Sequence, residues 1–339
     1  MTRHPKMDTS PTMDSTATSP ISPTTQFLAA IDLGSNSFHL LICLWRDGKL
    51  TEVARQKEMV QLARGMDAQG NLAPEALQRA QACLTHFQEI LSSYPQAIKR
   101  SVGTQALRQC QNLAEFLHMA EPLLGCPIEI ISGQREAELV YRGVQFCLPA
   151  AQRHEQSLIV DIGGASTELL IGQGPQIKHW HSFSLGCVDL ANRFLGGSRP
   201  RRKIPAQALE QAYQYSYDLL SEQAAAFNNM SWALTLGASG TMRVILDLLP
   251  VQPAPPRITQ AHLQQLLEEL RVSGEISEQI PDSLRWDVLP AGLALLSAIF
   301  DSLNIEQLDV SPGSIKEGMM LESLDGITAS MNQHQPKMN

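Results

Sequence analysis

The chain has 339 residues, of which 43% are hydrophobic and 18% are charged, and its formal net charge is −8. This length and apolar content allow a large buried core, and the length favours two domains over one. The negative charge argues against general nucleic-acid binding, so a polyanionic ligand would have to meet a local basic site. The apolar stretches fall short of the ~20 residues that a membrane helix requires, so no membrane contact is expected.

The first 25 residues are rich in Thr, Ser and Pro and nearly free of large apolar side chains. We expect a disordered tail at 1–25, because such a segment buries too little surface to offset the entropy of ordering. It also lacks the apolar core of about 7–15 residues that a secretory signal needs. The six cysteines are scattered without a C-x-x-C pair, and we therefore expect a cytoplasmic protein.

One pattern occurs twice along the chain. Strands predicted at 27–32 and 38–45 are joined by Asp32-Leu-Gly-Ser-Asn-Ser37, and strands at 157–161 and 167–171 are joined by Asp161-Ile-Gly-Gly-Ala-Ser166. Each loop joins a hairpin, whereas Walker and dinucleotide loops open helices. Small residues let backbone N–H groups turn onto an anion, hydroxyls add donors, and an Asp can hold a divalent cation. The repeat predicts two related halves that face one polyanionic ligand.

Other elements of the first half follow from apolar spacing and turn residues. A helix is predicted at 74–92, and a strand ending at Val102 leads through Gly103-Thr104 into a helix that carries Arg108. Asn112-Leu-Ala-Glu115 resembles a capping box that begins another helix. After a strand at 127–131, Ser132-Gly133 opens a helix with Glu136 in its first turn.

The second half continues the alternation of strands and helices. Helices are predicted at 206–228, 259–272 and 287–302, with a strand at 232–236 that leads into a helix ending at Leu249 and a last strand at 308–310. The alternation indicates α/β domains with mixed sheets and a ligand cleft between them. We expect domains at 26–150 and 151–325, a final helix at 314–325 that is free to pack back on the first domain, and a frayed tail at 326–339.

Four features carry candidate chemistry, and each has an ordinary structural alternative. Glu136 is either a general base that activates water or a side chain that complements the helix dipole. Glu168 and Asp161 flank one loop, where they could share Mg²⁺ or face solvent. Arg108 could grip a phosphate with two hydrogen bonds, or lie on the surface. One basic run is either solvated or a binding surface for a phosphate chain; it is formed by Arg199, Arg201, Arg202 and Lys203.

Seven blocks of the chain, in order between residues 27 and 325, resemble the exopolyphosphatase and guanosine pentaphosphate phosphatase family. This resemblance implies two ribonuclease H-like domains of the actin-like ATPase superfamily, with the active site in the cleft between them. The blocks are Asp32-Leu-Gly-Ser-Asn-Ser-Phe-His39, Gly103-Thr104 with Leu107-Arg108, Ile131-Ser-Gly-Gln-Arg-Glu-Ala137, Asp161-Ile-Gly-Gly-Ala-Ser-Thr-Glu168, Gly186-Cys187, Ala238-Ser-Gly-Thr241 and Lys316-Glu-Gly318.

The resemblance also implies residue roles. Glu136 falls on the catalytic general base, Asp161 and Glu168 fall on the acidic pair of Mg²⁺-dependent hydrolysis, and Asp32 is a further carboxylate near the metal. Arg108 both binds phosphate and orients it for catalysis. The remaining phosphate-binding positions are Gly34, Ser35, Asn36, Ser37, Gly163, Gly164, Ala165, Ser166 and Ser239.

The chain departs from the family pattern at three points. Ala165 replaces the usual third Gly of the second loop, where a Cβ would crowd the phosphate and would be strained if the position required positive φ. Gln134-Arg135 precedes the base where acidic residues are common, and a nearby cation would lower the pKa of Glu136. Longer relatives append a helical HD-type domain; the resemblance here is to the short two-domain form, so no such domain is expected.

The sequence therefore predicts a Mg²⁺-dependent exopolyphosphatase that releases the terminal phosphate of linear inorganic polyphosphate. Guanosine pentaphosphate is the close alternative substrate, because it presents the same terminal phosphoanhydride. A nucleotide-binding regulatory module and a kinase of the same fold are alternatives from other classes. No nucleic-acid or membrane partner is expected, and a homodimer is left open.

Overall fold

Two mixed β-sheets form the framework of the molecule. The computed structural model describes residues 25–196, 203–250, 257–275 and 287–333, with side chains as far as 326. Most of the expected N-terminal tail lies outside the described residues, as do Arg199, Arg201, Arg202 and the end of the C-terminal tail. Lys203, the one described member of the basic run, is exposed.

The first sheet has five strands in the order β3-β2-β1-β4-β5, antiparallel among β1, β2 and β3 and parallel among β1, β4 and β5. The hairpin predicted from the first loop is formed by β1 and β2. The sequence pattern does not predict β3, because its exposed face is polar and leaves no clear apolar alternation. The strands are β1 (Gln26–Leu33), β2 (Phe38–Arg46), β3 (Lys49–Glu58), β4 (Ile98–Gly103) and β5 (Ile128–Ile130).

The second sheet has the order β10-β11-β9-β6-β7-β8. Its run β8-β7-β6-β9-β11 repeats the pairing of the first sheet, antiparallel within the meander and parallel beyond it. The duplicated hairpin of the sequence is thus the centre of a duplicated sheet. The strands are β6 (Gln156–Ile162), β7 (Thr167–Gln173), β8 (Gln176–Phe183), β9 (Leu234–Gly237), β10 (Arg257–Thr259) and β11 (Gln307–Val310).

The helices that the apolar spacing predicts at 74–92, 206–228, 259–272 and 287–302 all form within two residues of those bounds. Among the described residues, no helix combines the length and apolarity that crossing a membrane would require. The helices are α1 (Pro74–Ser92), α2 (Gln105–Gln109), α3 (Leu113–Leu124), α4 (Gly133–Cys147), α5 (Cys187–Phe194), α6 (Ala206–Asn228), α7 (Gly240–Asp247), α8 (Gln260–Ser273), α9 (Leu289–Leu303) and α10 (Ile315–Gln333).

The capping box predicted at the start of α3 does not form. Asn112 precedes the helix, but its side chain makes no capping hydrogen bond. Its Oδ1 instead accepts a hydrogen bond of 2.8 Å from the backbone N–H of Leu72, and its Nδ2 donates to Glu115 and to the Leu72 carbonyl. The distant segment at Leu72 therefore competes successfully with the local cap.

Helices α4 and α10 form a layer between the two sheets. Helix α4 packs against β7 and β8 of the second sheet, and α10 packs against α4, β1 and β4. One buried core joins them, with Val140 of α4 and Met319 of α10 packed among strand residues of both sheets, including Ala30 and Ile159. The first turns of both helices are thereby placed at the gap between the sheets.

Two glycines let α4 and α10 approach backbone to backbone. A Cβ added at Gly143 would lie 1.9 Å from the Ser314 carbonyl oxygen, and one added at Gly318 would lie 2.0 Å from the Leu139 carbonyl oxygen. Any side chain at either position would force the helices apart. The close contact fixes the start of α10 beside the helix that carries Glu136.

Candidate active site

The two small-residue loops, 33–37 and 162–166, form the same kind of tight turn. A Cβ added at Gly34 would lie 2.9 Å from the Ser37 carbonyl oxygen, and one added at Gly163 would lie 3.0 Å from that of Ser166. Both distances are shorter than ordinary contacts of a Cβ with an oxygen atom. The repeated glycine is therefore required by the turn itself in both halves.

The loops also touch each other across the gap between the sheets. A Cβ added at Gly164 would lie 3.0 Å from the Cβ of Asn36 and 3.1 Å from its backbone nitrogen. The Cβ of Ser35 would be 3.3 Å away. The loop tips thus converge, and the absence of a side chain at Gly164 allows this approach.

Backbone hydrogen bonds orient the first loop. The carbonyl oxygens of Ser35 and Asn36 accept hydrogen bonds of 3.0 and 2.8 Å from the N–H groups of Ala63 and Gln61. A carbonyl and the N–H of the next residue point in opposite directions in a trans peptide. The N–H groups of Asn36 and Ser37 are therefore directed away from the 61–63 segment.

The second loop is oriented in the same way by the start of α5. The carbonyl oxygens of Gly163 and Gly164 accept hydrogen bonds of 3.1 and 2.8 Å from the N–H groups of Cys187 and Val188. The N–H groups of Gly164 and Ala165 consequently point away from α5. Each loop thus turns two consecutive amide groups to the side on which an anion would bind.

The cleft at the loops is lined by the N-terminal ends of helices. Thr104 precedes α2, Glu136 lies in the first turn of α4, Ser239 caps α7, and Lys316 lies in the first turn of α10. Helix N-termini carry partial positive charge and unpaired N–H groups, which attract anions.

Glu136 lines the cleft and forms an ion pair with Arg108. The distance from Arg108 Nη1 to Glu136 Oε2 is 2.9 Å, and the two side chains are 19% and 12% exposed. Arg108 Nη1 also donates to the Ile131 carbonyl oxygen at 2.6 Å. Arg108 was expected to meet phosphate, but in this structure its guanidinium faces the carboxylate of Glu136.

The pKa of Glu136 is raised to about 7. Burial is the main cause, Arg108 opposes it, and Asp32 and Asp161 add to it. The expectation that Arg135 lowers this pKa is wrong, because its guanidinium binds Glu138 at 3.0 Å and Glu322 at 2.5 Å. The salt bridges with these two carboxylates hold the cation away from the base.

The other three carboxylates end β1, end β6 and begin β7. Asp32 and Asp161 line the cleft, and burial raises the pKa of Asp32 and raises that of Asp161 to about 6. Glu168 pairs with Asp161 across the β6–β7 hairpin, is 1% exposed, and accepts a hydrogen bond of 2.8 Å from Ser182. Burial raises the pKa of Glu168 well above its usual value, with Glu136 and Asp161 adding to the effect.

These carboxylates fit a magnesium ion that shares its coordination with substrate. Within the described residues, no group of three His, Cys, Asp or Glu side chains could enclose a metal. Mg²⁺ needs no such cage, since it keeps several waters and binds one or two carboxylates together with substrate phosphates. Asp32 and Asp161 supply two carboxylates, and Asn36 Oδ1, a buried oxygen without a hydrogen-bond partner, lies in the same cleft.

Two polar residues of this region escape prediction from the sequence. Gln105 accepts hydrogen bonds from Nε and Nη2 of Arg108 and donates one of 3.2 Å to Ser184, so it connects α2 to the second half. Lys316 is 8% exposed and lines the cleft. The sequence feature that could have pointed to a role for Lys316 is its place in the Lys-Glu-Gly block. For Gln105 the only such feature is its position three residues before Arg108.

Ala165 is not strained. Among the described residues, positive φ occurs outside glycine at Asp47, Gln61 and Asn304, so the second loop does not require it at Ala165. The side chain is 4% exposed. The expected backbone penalty therefore does not arise, and the crowding of phosphate by the Cβ of Ala165 stays a prediction.

Comparison with known proteins decides the family. The model of the Ppx/GppA phosphatase family matches residues 41–326. The chain belongs to this family. An exopolyphosphatase from Cytophaga hutchinsonii is similar in structure, with a TM-score of 0.76, 27% identity and coverage of 89% of this chain and 98% of that one. A Ppx/GppA family member from Aquifex aeolicus has a TM-score of 0.69, 20% identity and coverage of 92% and 100%.

Membership of the Ppx/GppA family confirms three predictions from the sequence. The family itself is as the seven blocks indicate. The fold is α/β with two mixed sheets of the actin-like ATPase type, as expected. The chain is a phosphoanhydride hydrolase. This activity replaces the kinase and the regulatory module that the sequence left as alternatives.

Proposed function

We propose that this Ppx/GppA protein is an exopolyphosphatase, which hydrolyses the terminal phosphoanhydride of linear inorganic polyphosphate. The observation that carries the proposal is the convergence of helix N-termini and both loops on one cleft that also contains Glu136. This arrangement suits a terminal phosphoryl group, whose oxygens share the negative charge that develops in the transition state. The family name and the exopolyphosphatase from Cytophaga hutchinsonii support the same substrate class.

The loops and the metal site have separate roles in the proposal. The N–H groups of the first loop (Asn36, Ser37) and of the second (Gly164, Ala165) bind the terminal phosphoryl oxygens, with hydroxyls of the loops and Ser239 as further donors. Asp32 and Asp161 hold Mg²⁺, while Glu168 supports Asp161 from the adjacent strand. When bound, the ion neutralises phosphoryl charge and helps to align the leaving phosphate.

Glu136 and Arg108 act on the reacting groups. Glu136 removes a proton from the attacking water, for which a pKa near the working pH is favourable. Arg108 binds a phosphoryl oxygen of the substrate with the guanidinium that faces Glu136. Transfer of Arg108 from the carboxylate to the phosphate would leave Glu136 free to accept the proton.

The experiment that tests the proposal compares substrates at equal concentrations of chain ends. Purified protein with Mg²⁺ should release inorganic phosphate from long polyphosphate faster than from guanosine pentaphosphate. Faster release from guanosine pentaphosphate would assign the alternative substrate and overturn this one. Release that is unaffected by removal of divalent metal would overturn the assignment of Asp32 and Asp161 as Mg²⁺ ligands.

Gln105 is expected to position Arg108. Its Oε1 accepts from two nitrogens of the guanidinium, and hydrogen bonds to charged groups are among the stronger ones. Gln105→Ala should lower kcat/KM for tripolyphosphate roughly 10-fold, chiefly through KM, because Arg108 loses its fixed orientation. Steady-state kinetics measure the effect, and the melting temperature checks the fold.

Ser184→Ala is the matched control for Gln105→Ala. It removes the 3.2 Å hydrogen bond from Gln105 to the second half but leaves both bonds to Arg108. We expect kinetics within about 2-fold of the wild type. Equal losses in the two variants would show that the contact between the halves, rather than the orientation of Arg108, is what matters.

A further inference from the structure

The first turn of α10 brings a buried cation into the cleft. Lys316 is 8% exposed, and its Nζ donates a hydrogen bond of 2.9 Å to the Oγ of Ser314. That bond uses one of the three N–H groups of the ammonium. Burial of a charged side chain is costly unless a partner of opposite charge offsets it.

Lys316 is not placed for the stability of its own helix. A cation in the first turn opposes the partial positive charge of a helix N-terminus. Glu317 provides the favourable interaction instead, since its Oε2 accepts hydrogen bonds of 2.8 and 3.0 Å from the N–H and Oγ of Ser314. The favourable interactions of the Lys316 ammonium are therefore with groups outside α10.

The side chains that line the cleft together with Lys316 include the carboxylates of Asp32, at the end of β1, and Asp161, at the end of β6. All three residues line the same cleft with both loops. Lys316 thus provides positive charge where carboxylates would otherwise repel an incoming polyanion.

Two sets of contacts fix the position of α10, the helix that carries Lys316. Backbone contact at Gly143 and Gly318 fixes α10 against α4. Further along α10, Glu322 binds Arg135 at 2.5 Å and also pairs with Arg100 of β4. These contacts hold the first turn of α10, which carries Lys316, beside α4, which carries Glu136, although Lys316 lies 180 residues later in the chain.

We propose that Lys316 is a phosphate-binding residue, whose ammonium pairs with the terminal phosphoryl oxygens of the substrate between the two loops. The inference rests on the proposed function for the identity of the phosphate chain, but the binding it assigns does not require hydrolysis. It differs from the role of Arg108, which belongs to the first half and is paired with the base.

The test is equilibrium binding of tripolyphosphate by isothermal titration calorimetry in metal-free buffer. Lys316→Gln should raise Kd roughly 10- to 100-fold, as expected for loss of a charge-assisted hydrogen bond, and Lys316→Arg should restore most of the affinity. Lys178→Gln is the matched control, because it removes the same charge from an exposed lysine bound to Gln156 and Gln173. It should leave Kd within about 2-fold.

The outcomes separate this inference from the proposed function. Equal Kd values for Lys316→Gln and wild type, or equal weakening in Lys178→Gln, would overturn the role of Lys316. A wild type that binds tripolyphosphate but releases no phosphate with Mg²⁺ would overturn the exopolyphosphatase proposal alone. A wild type that does not bind tripolyphosphate would overturn both.

A second measurement uses the wild-type protein and so does not depend on the folding of a variant. Reductive methylation followed by mass spectrometry should show that tripolyphosphate protects Lys316 from labelling, while Lys178 reacts equally with and without it. Equal labelling of Lys316 under both conditions would contradict the inference.

Discussion

Replacement of Glu136 by glutamine is expected to lower kcat for polyphosphate by about 10²- to 10⁴-fold, the range of general-base contributions. Glutamine keeps the size of the side chain and an oxygen that can accept the hydrogen bond from Arg108. It removes the ability to take a proton from water. Tripolyphosphate should therefore bind with a Kd within about 3-fold of the wild type, and phosphate release under saturating substrate measures the loss.

Glu138→Gln provides the matched control on the same helix. Glu138 lies two residues later, its side chain is 39% exposed, and it bonds to Arg135 and Gln134 outside the cleft. This variant should retain kcat within about 2-fold. A Glu136→Gln enzyme that keeps more than a tenth of the wild-type kcat would show that another group accepts the proton.

The pH dependence provides an independent check on the same residue. The base must be ionised, and its pKa of about 7 means that the ionised fraction falls as the pH drops below 7. Wild-type kcat/KM should therefore decline toward 10-fold per pH unit on the acidic side. Arg108, Asp32, Asp161 and Glu168 all interact electrostatically with Glu136, so the acidic side of the profile reports an apparent pKa of these coupled groups rather than of Glu136 alone. The contribution of Glu136 should be absent from the residual activity of Glu136→Gln, whose profile keeps the titration of the substrate and of Asp161, which has a pKa of about 6.

Local patterns predict the framework of this protein well. The hairpins around Asp32 and Asp161 are short-range structures, and their small-residue turns and flanking apolar runs are visible in the sequence. The same holds for Glu136, because Ser132 caps α4 with a hydrogen bond of 3.1 Å to the N–H of Arg135. Signals within a few residues of each other were sufficient in these cases.

Features that depend on distant segments were not predictable. The cation Arg135 follows the opening of α4 directly, yet Glu322, 187 residues later, determines where its side chain points. Asn112 likewise bonds to Leu72 rather than to its own helix. Lys316 enters the cleft only because α10 returns to α4 after the second sheet is complete. Sequence spacing contains no measure of such contacts, and they set the charge around the base.

The contact between the loops leads to the second large expected effect. Gly164→Val should lower kcat/KM roughly 100-fold, because branched carbons at this position would press on the backbone nitrogen and Cβ of Asn36, 3.1 and 3.0 Å from the added Cβ. Gly164→Ala should have a smaller effect of roughly 10-fold, since the neighbours would need to move by only a few tenths of an ångström. The φ of Gly164 is not positive, so backbone strain does not contribute.

Gly326→Ala serves as the control for Gly164→Ala, because a Cβ at Gly326 would have no neighbour within 4 Å. The melting temperature of the Gly164 variants should stay within a few degrees of the wild type, since the loops lie at the open cleft rather than in either core. The loss should appear in kcat as well as KM, because the amide groups of both loops must reach one phosphoryl group together. A Gly164→Val enzyme with wild-type kcat/KM would mean that the two loops need not bind the same phosphoryl group, and that one loop with Mg²⁺ is sufficient to hold the reacting phosphate.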